Sequence, residues 1–549
     1  MTRLIECVPN FSEGRDPDII RQITASIEAI DGIRLLNVDP GKATNRTVVT
    51  FVGEPEAVIE AAFQAIHTAG ALINMRAHTG EHPRMGATDV CPLIPIAGIT
   101  MPETVEYARR LAERVGRELS LPVYLYEAAQ PDKNRSNLAA IRAGEYEGLG
   151  VKITHADWKP DFGPAQFDAQ RGATVIGARD FLVAYNVNLN TTSTRRANAI
   201  AFDVREAGRK VKDAAGKEVV QPGTLKAVKA IGWYIAEYGI AQVSMNLVDL
   251  DVTPVHLAFD ETCRAAEARG IRVTGSELVG LVPLRCLLDA GRYYLEKQQR
   301  STGVPERELV RVAVRSLGLD QLAPFNAEER VIEYVLAEKA ESRLVRMTLT
   351  DFAYETASES PAPGGGSIAA YLGALGAALG TMVANLSSHR RGWDDRWKEF
   401  SDHANTGQRL TRTLLDQVDE DTTAFTRVMT AFGLPRSTDL EKATRHTAIQ
   451  SATREATEVP FRVMQTALAS MALIKSMAES GQESSVSDAG VGALCARSAV
   501  MGAFLNVKIN AASLTDKTYA NDIVSRGAEL ERQAQALETE TLAIVNGKL

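Results

Sequence analysis

The pattern of apolar residues changes near residue 336, and this change constrains the fold more than any other feature of the sequence. Before it, short β-branched runs alternate with segments of helical spacing. After it, long segments rich in Ala, Leu and Thr keep helical spacing to the end of the chain. The change predicts a mixed α and β part followed by an all-α bundle, with the charged segment 337–346 as a linker.

The mixed part repeats one rhythm of elements. Strands are predicted at 4–8, 33–38 and 47–52, and helices at 19–30 and 55–71. Further on, a strand-rich run is predicted at 174–187, helices at 225–238 and 254–268, and strands at 241–248 and 271–274. This order favours α+β subdomains with helices on one sheet face, at 1–177 and 178–336, followed by a helical domain at 347–549.

Charge and cysteine content exclude several classes of protein. The chain has 61 Lys and Arg against 69 Asp and Glu, a net charge of −8, and shows no basic stripe, which disfavours a nucleic-acid binder. Its five cysteines are widely spaced and form no CxxC pair, which indicates free thiols in a reducing, cytoplasmic compartment. No secretory signal is expected. The uncharged stretch 367–386 is rich in Ala and Gly, which favours a buried bundle helix over a membrane span.

The densest polar cluster is the segment 76–86, which holds His78, His82 and Arg84. Gly80 and Pro83 argue against the helix that an HxxxH zinc motif needs, so no metal site is predicted. A loop histidine here can act as general acid and base near neutral pH, although a polar surface loop explains the same pattern. The nearby segment 39–46 lacks the spacing of a phosphate loop and is predicted to be a turn.

Two polar features stand out in the helical part. Gly364, Gly365 and Gly366 precede Ser367 at a helix start, where they can hold an anion or simply form the entry loop. The run 419–421 is acidic and is usually a solvated face. Alternatively, Asp421 points inward with Ala424 and Phe425, and burial would then raise its pKa so that it can act as a general acid.

Several motifs together carry a resemblance to a known family. They are ECVPNFSEGR, TNRTVVTFVG, HTGEHPRMGATDVCP, PVYLYEAA, IRAGEYEGL, PDFGP, GATVIGAR, AIGWY and LVGLVPL in the first part, and APGGGS, VDEDTTAF and GAFLNVKIN in the helical part. The chain resembles the bifunctional formimidoyltransferase-cyclodeaminases of histidine breakdown over nearly its whole length. The resemblance implies two ferredoxin-like transferase subdomains followed by a helical cyclodeaminase.

The resemblance also implies the chemistry. The transferase moves a formimino group from N-formimino-L-glutamate to tetrahydrofolate, polyglutamylated in the cell, and the cyclodeaminase forms 5,10-methenyltetrahydrofolate and ammonia without a metal. The catalytic histidine falls on His82, and the cyclodeaminase aspartate on Asp421, with Asp419 as the local alternative. The folate loop falls on Gly163, Pro164, Ala165, Gln166, Phe167, Asp168, Ala169, Gln170, Arg171 and Gly172.

Supporting roles and partners complete these expectations. Asp39 is expected to orient His82, Arg84 or Arg46 to bind a substrate carboxylate, and Asn45 to support them. The resemblance implies a homo-oligomer built from dimers, such as an octameric ring, with no nucleic-acid partner. Transfer of formyl instead of formimino is an alternative activity. A folate-binding scaffold protein with inactive sites is another, and intact His82 and Asp421 argue against it.

Overall fold

The computed structural model describes residues 3–42, 44–80, 83–213, 216–336 and 344–549. The catalytic candidate His82 and residues 337–343 of the predicted linker lie outside the described residues. The described residues form two compact units. One holds the residues up to 286 together with 318–336, and the other holds 287–317 and the residues from 344 onward.

The first unit begins with a seven-stranded sheet in the order β3-β4-β1-β5-β7-β6, in which the short β2 continues β1 between β4 and β5. Neighbouring strands are antiparallel from β3 to β5 and parallel from β5 through β7 to β6. The strands are β1 (Leu4–Cys7), β2 (Asn10–Phe11), β3 (Ile33–Gly41), β4 (Arg46–Gly53), β5 (Thr88–Ala97), β6 (Val123–Glu127) and β7 (Thr174–Ala178).

Helices pack on both faces of this sheet around two apolar cores: the first three helices build one core, and the last two build the other through Ile141 and Leu149. They are α1 (Pro17–Glu28), α2 (Pro55–Leu72), α3 (Met101–Glu118), α4 (Leu138–Arg142) and α5 (Glu145–Lys152). Helix α1 starts at Pro17 because the Asp16 side chain accepts hydrogen bonds from the first backbone N–H groups. Helix α3 starts with a capping box formed by Thr100 and Glu103. The predicted order of strand, helix, two strands and helix is confirmed at the start of the chain.

The second sheet of this unit has four antiparallel strands in the order β11-β12-β8-β13. Its elements, with a separate hairpin formed by β9 and β10, are β8 (Val183–Leu189), α6 (Thr194–Val204), β9 (Arg209–Lys212), β10 (Glu218–Gln221), β11 (Val228–Ile235), β12 (Ile240–Leu247), α7 (Val255–Glu267) and β13 (Val273–Val279). The predicted helix at 254–268 and strand at 241–248 are confirmed.

The helix predicted at 225–238 is wrong. Residues 228–235 form strand β11, which pairs with β12 along its whole length, from Val228 opposite Leu247 to Ile235 opposite Ile240. Burial alternates along most of the strand, as expected for a sheet with one covered face. Alternating burial, together with β-branched and aromatic residues, is typical of a strand. These features determine the structure of this segment, although the spacing of its apolar residues also fits a helix.

The remaining described elements are helical. They are α8 (Leu284–Lys297), α9 (Glu306–Leu317), α10 (Ala327–Arg330), α11 (Ile332–Leu336), α12 (Leu349–Thr356), α13 (Gly365–Ser388), α14 (Trp397–Phe432), α15 (Asp439–Ser480), α16 (Val486–Ala512) and α17 (Lys517–Lys548). The prediction of an all-α part is confirmed for the described residues from 344 onward.

Helix α13 packs against α14, α15 and α16. Its small residues allow this close approach, since an added Cβ on Gly376 would lie 2.8 Å from the carbonyl oxygen of Gly492 on α16. By length and composition, α13 and residues 483–512 are apolar enough to cross a membrane, a test that core helices also pass. The packing of α13 agrees with the predicted bundle helix.

Two candidate active sites

His78 is held in one tautomer by its neighbours. Its Nδ1 atom lies 3.2 Å from Nε of Arg84, which can only donate, so Nδ1 accepts this hydrogen bond. Its Nε2 atom lies 2.8 Å from the carbonyl oxygen of Asn45 and therefore donates to it. The imidazole is thus neutral, with its proton on Nε2 and both ring nitrogens engaged.

The guanidinium of Arg84 is buried and binds two carboxylates of α5. Its two terminal nitrogens lie 2.6 and 2.9 Å from the oxygens of Glu147, and one of them lies 3.3 Å from Glu145. The hydrogen bonds to Glu147 raise the pKa of Arg84 and lower that of Glu147. The forked contact predicted between Arg84 and a substrate carboxylate is occupied within the protein by Glu147.

Arg46 is likewise engaged inside the protein. Its Nη1 atom lies 3.3 Å from the fully buried carboxylate of Asp89, and its Nε donates to Asn10 at 2.9 Å. Burial lowers the pKa of Arg46 to about 10, although the charge of Asp89 opposes this shift. Arg46 therefore anchors the start of β4 to the start of β5.

Asn45 connects two loops at the edge of this site. It adopts a positive φ of 48°, which asparagine tolerates better than most residues. Its amide donates to the carbonyl oxygen of Thr79 at 3.0 Å, and its side-chain oxygen accepts from the backbone N–H of Gly14 at 3.0 Å. The supporting candidate Asp39 lies on β3 opposite Val48 and is exposed.

These contacts surround a cleft of about 540 Å³. Its described lining residues are His78, Thr79, Gly80, Arg84, Gly144, Glu145 and Glu147. Sequence reasoning gave no role to the two glutamates, and the resemblance assigned the loop-histidine role to His82 instead of His78. The paired acids of the GEYEGL segment were the available signal, but their contact with Arg84 spans 61 to 63 residues and leaves no local pattern.

The predicted folate loop, residues 163–172, ends beside the segment that leads into β5. Gly172 forms a β-bridge with Gly86 and has a φ of 72°. A Cβ on Gly172 would lie 2.1 Å from the carbonyl oxygen of Met85, so only glycine fits there. The structure thereby brings the end of this loop to within a few residues of His82 along the chain.

The middle of the same loop is held by its own side chains. Asp168 accepts hydrogen bonds from the backbone N–H groups of Gln170 and Arg171 at 2.9 Å and from Nε of Arg171 at 2.7 Å. The Phe167 ring lies 5.5 Å from that of Tyr146, whose hydroxyl donates to the carbonyl oxygen of Ala169. Helix α5, which carries Tyr146, therefore contacts both this loop and, through its two glutamates, Arg84.

A second polar site lies in the helical unit, where α14 passes the start of α13. The hydroxyl of Ser367 donates to Oδ2 of Asp421 at 3.0 Å, and a Cβ on Gly366 would lie 2.1 Å from Oδ1 of the same carboxylate. Burial raises the pKa of Asp421, while hydrogen bonds from the Ser367 hydroxyl and backbone N–H partly oppose the shift. The carboxylate thus sits on the glycine-rich start of a helix, with a pKa above that of an ordinary aspartate.

The other acidic candidate of α14 points elsewhere. Asp419 accepts a hydrogen bond from the backbone N–H of Leu344 at 2.9 Å, which fastens the incoming chain to α14. Of the residues predicted to share the inward face with Asp421, Ala424 is buried but Phe425 is 41% exposed. The prediction for Phe425 is wrong, because this position lies at the margin of the buried stripe.

Two further side chains lie at this site and were not predicted. Thr422 Oγ1 is 3.4 Å from the hydroxyl of Ser367. The side-chain amide nitrogen of Asn506 on α16 would lie 3.5 Å from a Cβ placed on Gly365, so Asn506 borders the glycine turn on the side of α16. Asn506 belongs to the GAFLNVKIN motif, which gave a resemblance but no role. Among the described residues, no group of three His, Cys, Asp or Glu side chains could hold a metal ion.

The fit of Gly366 against Asp421 gives a direct test of this site. Gly366→Ala is expected to push the carboxylate off the helix start, lowering any turnover catalysed at this site at least about tenfold and stability by about 1–3 kcal/mol. Gly502→Ala is the matched control in the same unit, because its Cβ would meet one atom at an ordinary 3.4 Å. Steady-state kinetics and melting of both variants check the prediction. Equal activity in the two would contradict it.

Comparison with known families covers nearly the entire chain. The model of the formiminotransferase domain, N-terminal subdomain, matches residues 4–179. The model of the formiminotransferase domain matches residues 184–337. The formiminotransferase-cyclodeaminase model matches residues 348–529.

Individual relatives agree with these matches. The glutamate formimidoyltransferase of Streptococcus pyogenes serotype M1 is 41% identical over 54% of this chain and 94% of its own length. The methenyltetrahydrofolate cyclohydrolase of Methylorubrum extorquens is 36% identical over 37% of this chain and 97% of its own length. The formimidoyltransferase-cyclodeaminase of Sus scrofa is 44% identical over 543 residues, 97% of either chain. With similarity through nearly the whole of both sequences, this chain belongs to the formimidoyltransferase-cyclodeaminase family.

Proposed function

We propose that the protein is a bifunctional folate enzyme. It transfers the formimino group of N-formimino-L-glutamate to tetrahydrofolate and then converts 5-formiminotetrahydrofolate to 5,10-methenyltetrahydrofolate and ammonia. The observation that carries the proposal is that each compact unit holds its own polar site. One is the cleft beside Arg84, and the other is Asp421 on the start of α13.

In the transfer step, N5 of tetrahydrofolate attacks the formimino carbon. A base must take the N5 proton, and an acid must protonate the leaving glutamate nitrogen, so one histidine can serve both needs in sequence. His82 is the proposed group. His78 suits this task less well, since both of its ring nitrogens are engaged by Arg84 and Asn45.

Folate binding is proposed for the loop 163–172. Two contacts support this: Gly172 lies against Met85, three residues after His82, and Phe167 presents an aromatic ring beside Tyr146. Aromatic faces stack well on flat heterocycles such as a pterin. The loop is fixed by the hydrogen bonds of Asp168, so its backbone is prepared for a ligand before binding.

In the cyclodeaminase step, N10 attacks the formimino carbon and ammonia leaves. Expulsion of ammonia requires a proton, which a neutral carboxylic acid can donate. Burial raises the pKa of Asp421, so a larger fraction of it is neutral than of an ordinary aspartate. Asp421 is therefore the proposed acid, with Ser367, Gly364, Gly365 and Gly366 orienting it and the substrate.

Finer aspects of the architecture are proposed from strand order. Each sheet contains four strands in the order second, third, first, fourth along the chain, with helices after the first and third strands. This is the arrangement of a ferredoxin-like fold, so both transferase subdomains are proposed to be of this type. Their proposed bounds are 1–177 and 178–336, followed by the linker 337–346 and the cyclodeaminase domain 347–549.

A homo-oligomer is also proposed. Neighbouring helices α13 and α16 carry exposed apolar side chains, among them Leu375, Met382, Leu505 and Ile509. Burying such a surface against a second copy would remove apolar area from water. A cytoplasmic location is proposed because none of the five cysteines forms a disulfide.

A single assay tests the proposed function. Purified protein is given tetrahydrofolate and N-formimino-L-glutamate, and methenyltetrahydrofolate absorbance and released ammonia are followed together. Both signals are expected to appear. Glutamate release without ammonia would remove the cyclodeaminase half of the proposal. Turnover of N-formyl-L-glutamate with none of the formimino donor would overturn the proposed donor.

A further inference from the structure

The cleft beside Arg84 carries an excess of negative charge. Among its described lining residues, Arg84 supplies one positive charge, Glu145 and Glu147 supply two negative charges, and His78 is neutral in the tautomer that its hydrogen bonds require. Such a cleft favours a cationic group of a ligand over a neutral group in the same position. The natural ligand for its described wall is therefore a positively charged group.

The two glutamates differ in how fully Arg84 engages them. Both oxygens of Glu147 receive hydrogen bonds from Arg84, at 2.6 and 2.9 Å. Glu145 receives a single long contact of 3.3 Å through Oε2, and its side chain is 44% exposed. The other oxygen, Oε1, has no hydrogen bond among the described residues. Glu145 therefore has the greater capacity to bind a ligand cation in this cleft.

The backbone holds Glu145 in an unusual conformation. Glu145 has a φ of 52° directly after Gly144 with a φ of 89°, so two consecutive residues are left-handed where α5 begins. Glutamate rarely adopts a left-handed conformation, because this conformation raises the free energy of the folded state. A surface turn without a function gains nothing from it. The conformation places the Glu145 side chain at the cleft wall, where Gly144 also lies.

These observations match one chemical difference between possible donors. A formimino group on nitrogen is an amidine, which is protonated near neutral pH and presents parallel N–H donors to a carboxylate. A formyl group in the same position is a neutral amide. We propose that Glu145 recognises the amidinium of the donor and thereby selects formimino over formyl; this inference rests on the proposed function.

The main test replaces the charge and keeps the shape. In Glu145→Gln, KM for N-formimino-L-glutamate is expected to rise about 10- to 100-fold, the usual range for losing a hydrogen bond to a charged partner. The KM for tetrahydrofolate should change less than about twofold, because the proposed contact of Glu145 is with the donor alone. Glu118→Gln, an exposed residue outside the cleft, is the matched control and should match the wild type.

A second readout isolates charge recognition from structure. Acetamidinium chloride should inhibit the wild type competitively with the donor, and acetamide or sodium chloride at equal concentration should not. This inhibition should weaken about tenfold or more in Glu145→Gln. Glu145→Asp and Glu145→Asn introduce side chains of nearly equal size, and both residues tolerate the left-handed backbone. Only Glu145→Asp keeps the negative charge, so only this variant should retain inhibition by acetamidinium.

The outcomes separate this inference from the proposed function. A wild type that transfers no formimino group overturns the proposed function, and the inference falls with it. A wild type that transfers it, beside a Glu145→Gln enzyme with unchanged donor KM and unchanged acetamidinium inhibition, overturns the inference alone. A raised donor KM with retained acetamidinium inhibition also overturns it, because charge would then play no part.

Discussion

Asp421→Asn is expected to lower the rate of cyclodeamination by about 10²- to 10⁴-fold, the range that a general acid contributes. Asparagine has nearly the same shape and can still accept the hydrogen bond from Ser367, so the site should stay folded. It cannot donate the proton that departing ammonia needs. Formimino transfer should be unaffected, since Asp421 belongs to the helical unit and the cleft beside Arg84 to the other. Ammonia release and glutamate release, measured separately, check the prediction.

Asp419→Asn is the matched control for this variant. Asp419 lies two residues away on the same helix, but its carboxylate accepts from the backbone N–H of Leu344. Its replacement should weaken the attachment of that segment and leave cyclodeamination largely intact. If Asp419→Asn stops ammonia release while Asp421→Asn does not, the acid has been assigned to the wrong residue.

The pH dependence of the wild type follows from the same burial. A general acid works in its protonated form, so the rate should fall as pH rises through the pKa of Asp421. Because burial raises this pKa above 3.8, the falling limb should lie at higher pH than for an ordinary aspartate. The residual activity of Asp421→Asn should lack this limb.

Local sequence patterns were sufficient for most elements near the chain start. The β-branched run that became β4 and the apolar helical run that became α2 each carry their signal within one segment. Strand β11 lacks such a local signal, because its burial depends on pairing with β12. This pairing cannot be predicted from residues 225–238 alone, since β12 follows the next turn. When the apolar residues of a segment fit both a helix and a strand, the element it packs against determines which of the two it forms.

The two candidate sites differ in the same way. Ser367 and Asp421 were each singled out from their own motif, but their hydrogen bond across 54 residues was not predicted. The pairing of Arg84 with Glu147 was missed, since no spacing rule connects a loop arginine to an acid 63 residues further on. Consequently Arg84 was expected to bind substrate directly. In the structure its guanidinium instead binds Glu147 and Glu145, which line the cleft.

Asp89 makes several buried charge contacts at the start of strand β5. Its fully buried carboxylate binds Arg142, lies 3.3 Å from Nη1 of Arg46, and accepts from the backbone N–H of Met85 at 3.1 Å. The side chains of both arginines are 14% exposed. Asp89 therefore joins the starts of β4 and β5 to α4 and also holds the segment that follows His82.

Asp89→Asn is accordingly expected to destabilise the first unit by about 3–5 kcal/mol, because it leaves two nearly buried guanidinium groups without their counter-charge. For a domain of this size the loss corresponds to a fall of roughly 6–20 °C in the Tm of its transition. Asp251→Asn is the control, since its pair with Arg285 is exposed and contributes about 1 kcal/mol at most. Thermal loss of transferase activity, followed in parallel with circular dichroism, reports this transition in the full chain. A Tm for Asp89→Asn within about 2 °C of the Asp251→Asn value would mean that the arginines find other partners and that Asp89 does not anchor the His82 segment.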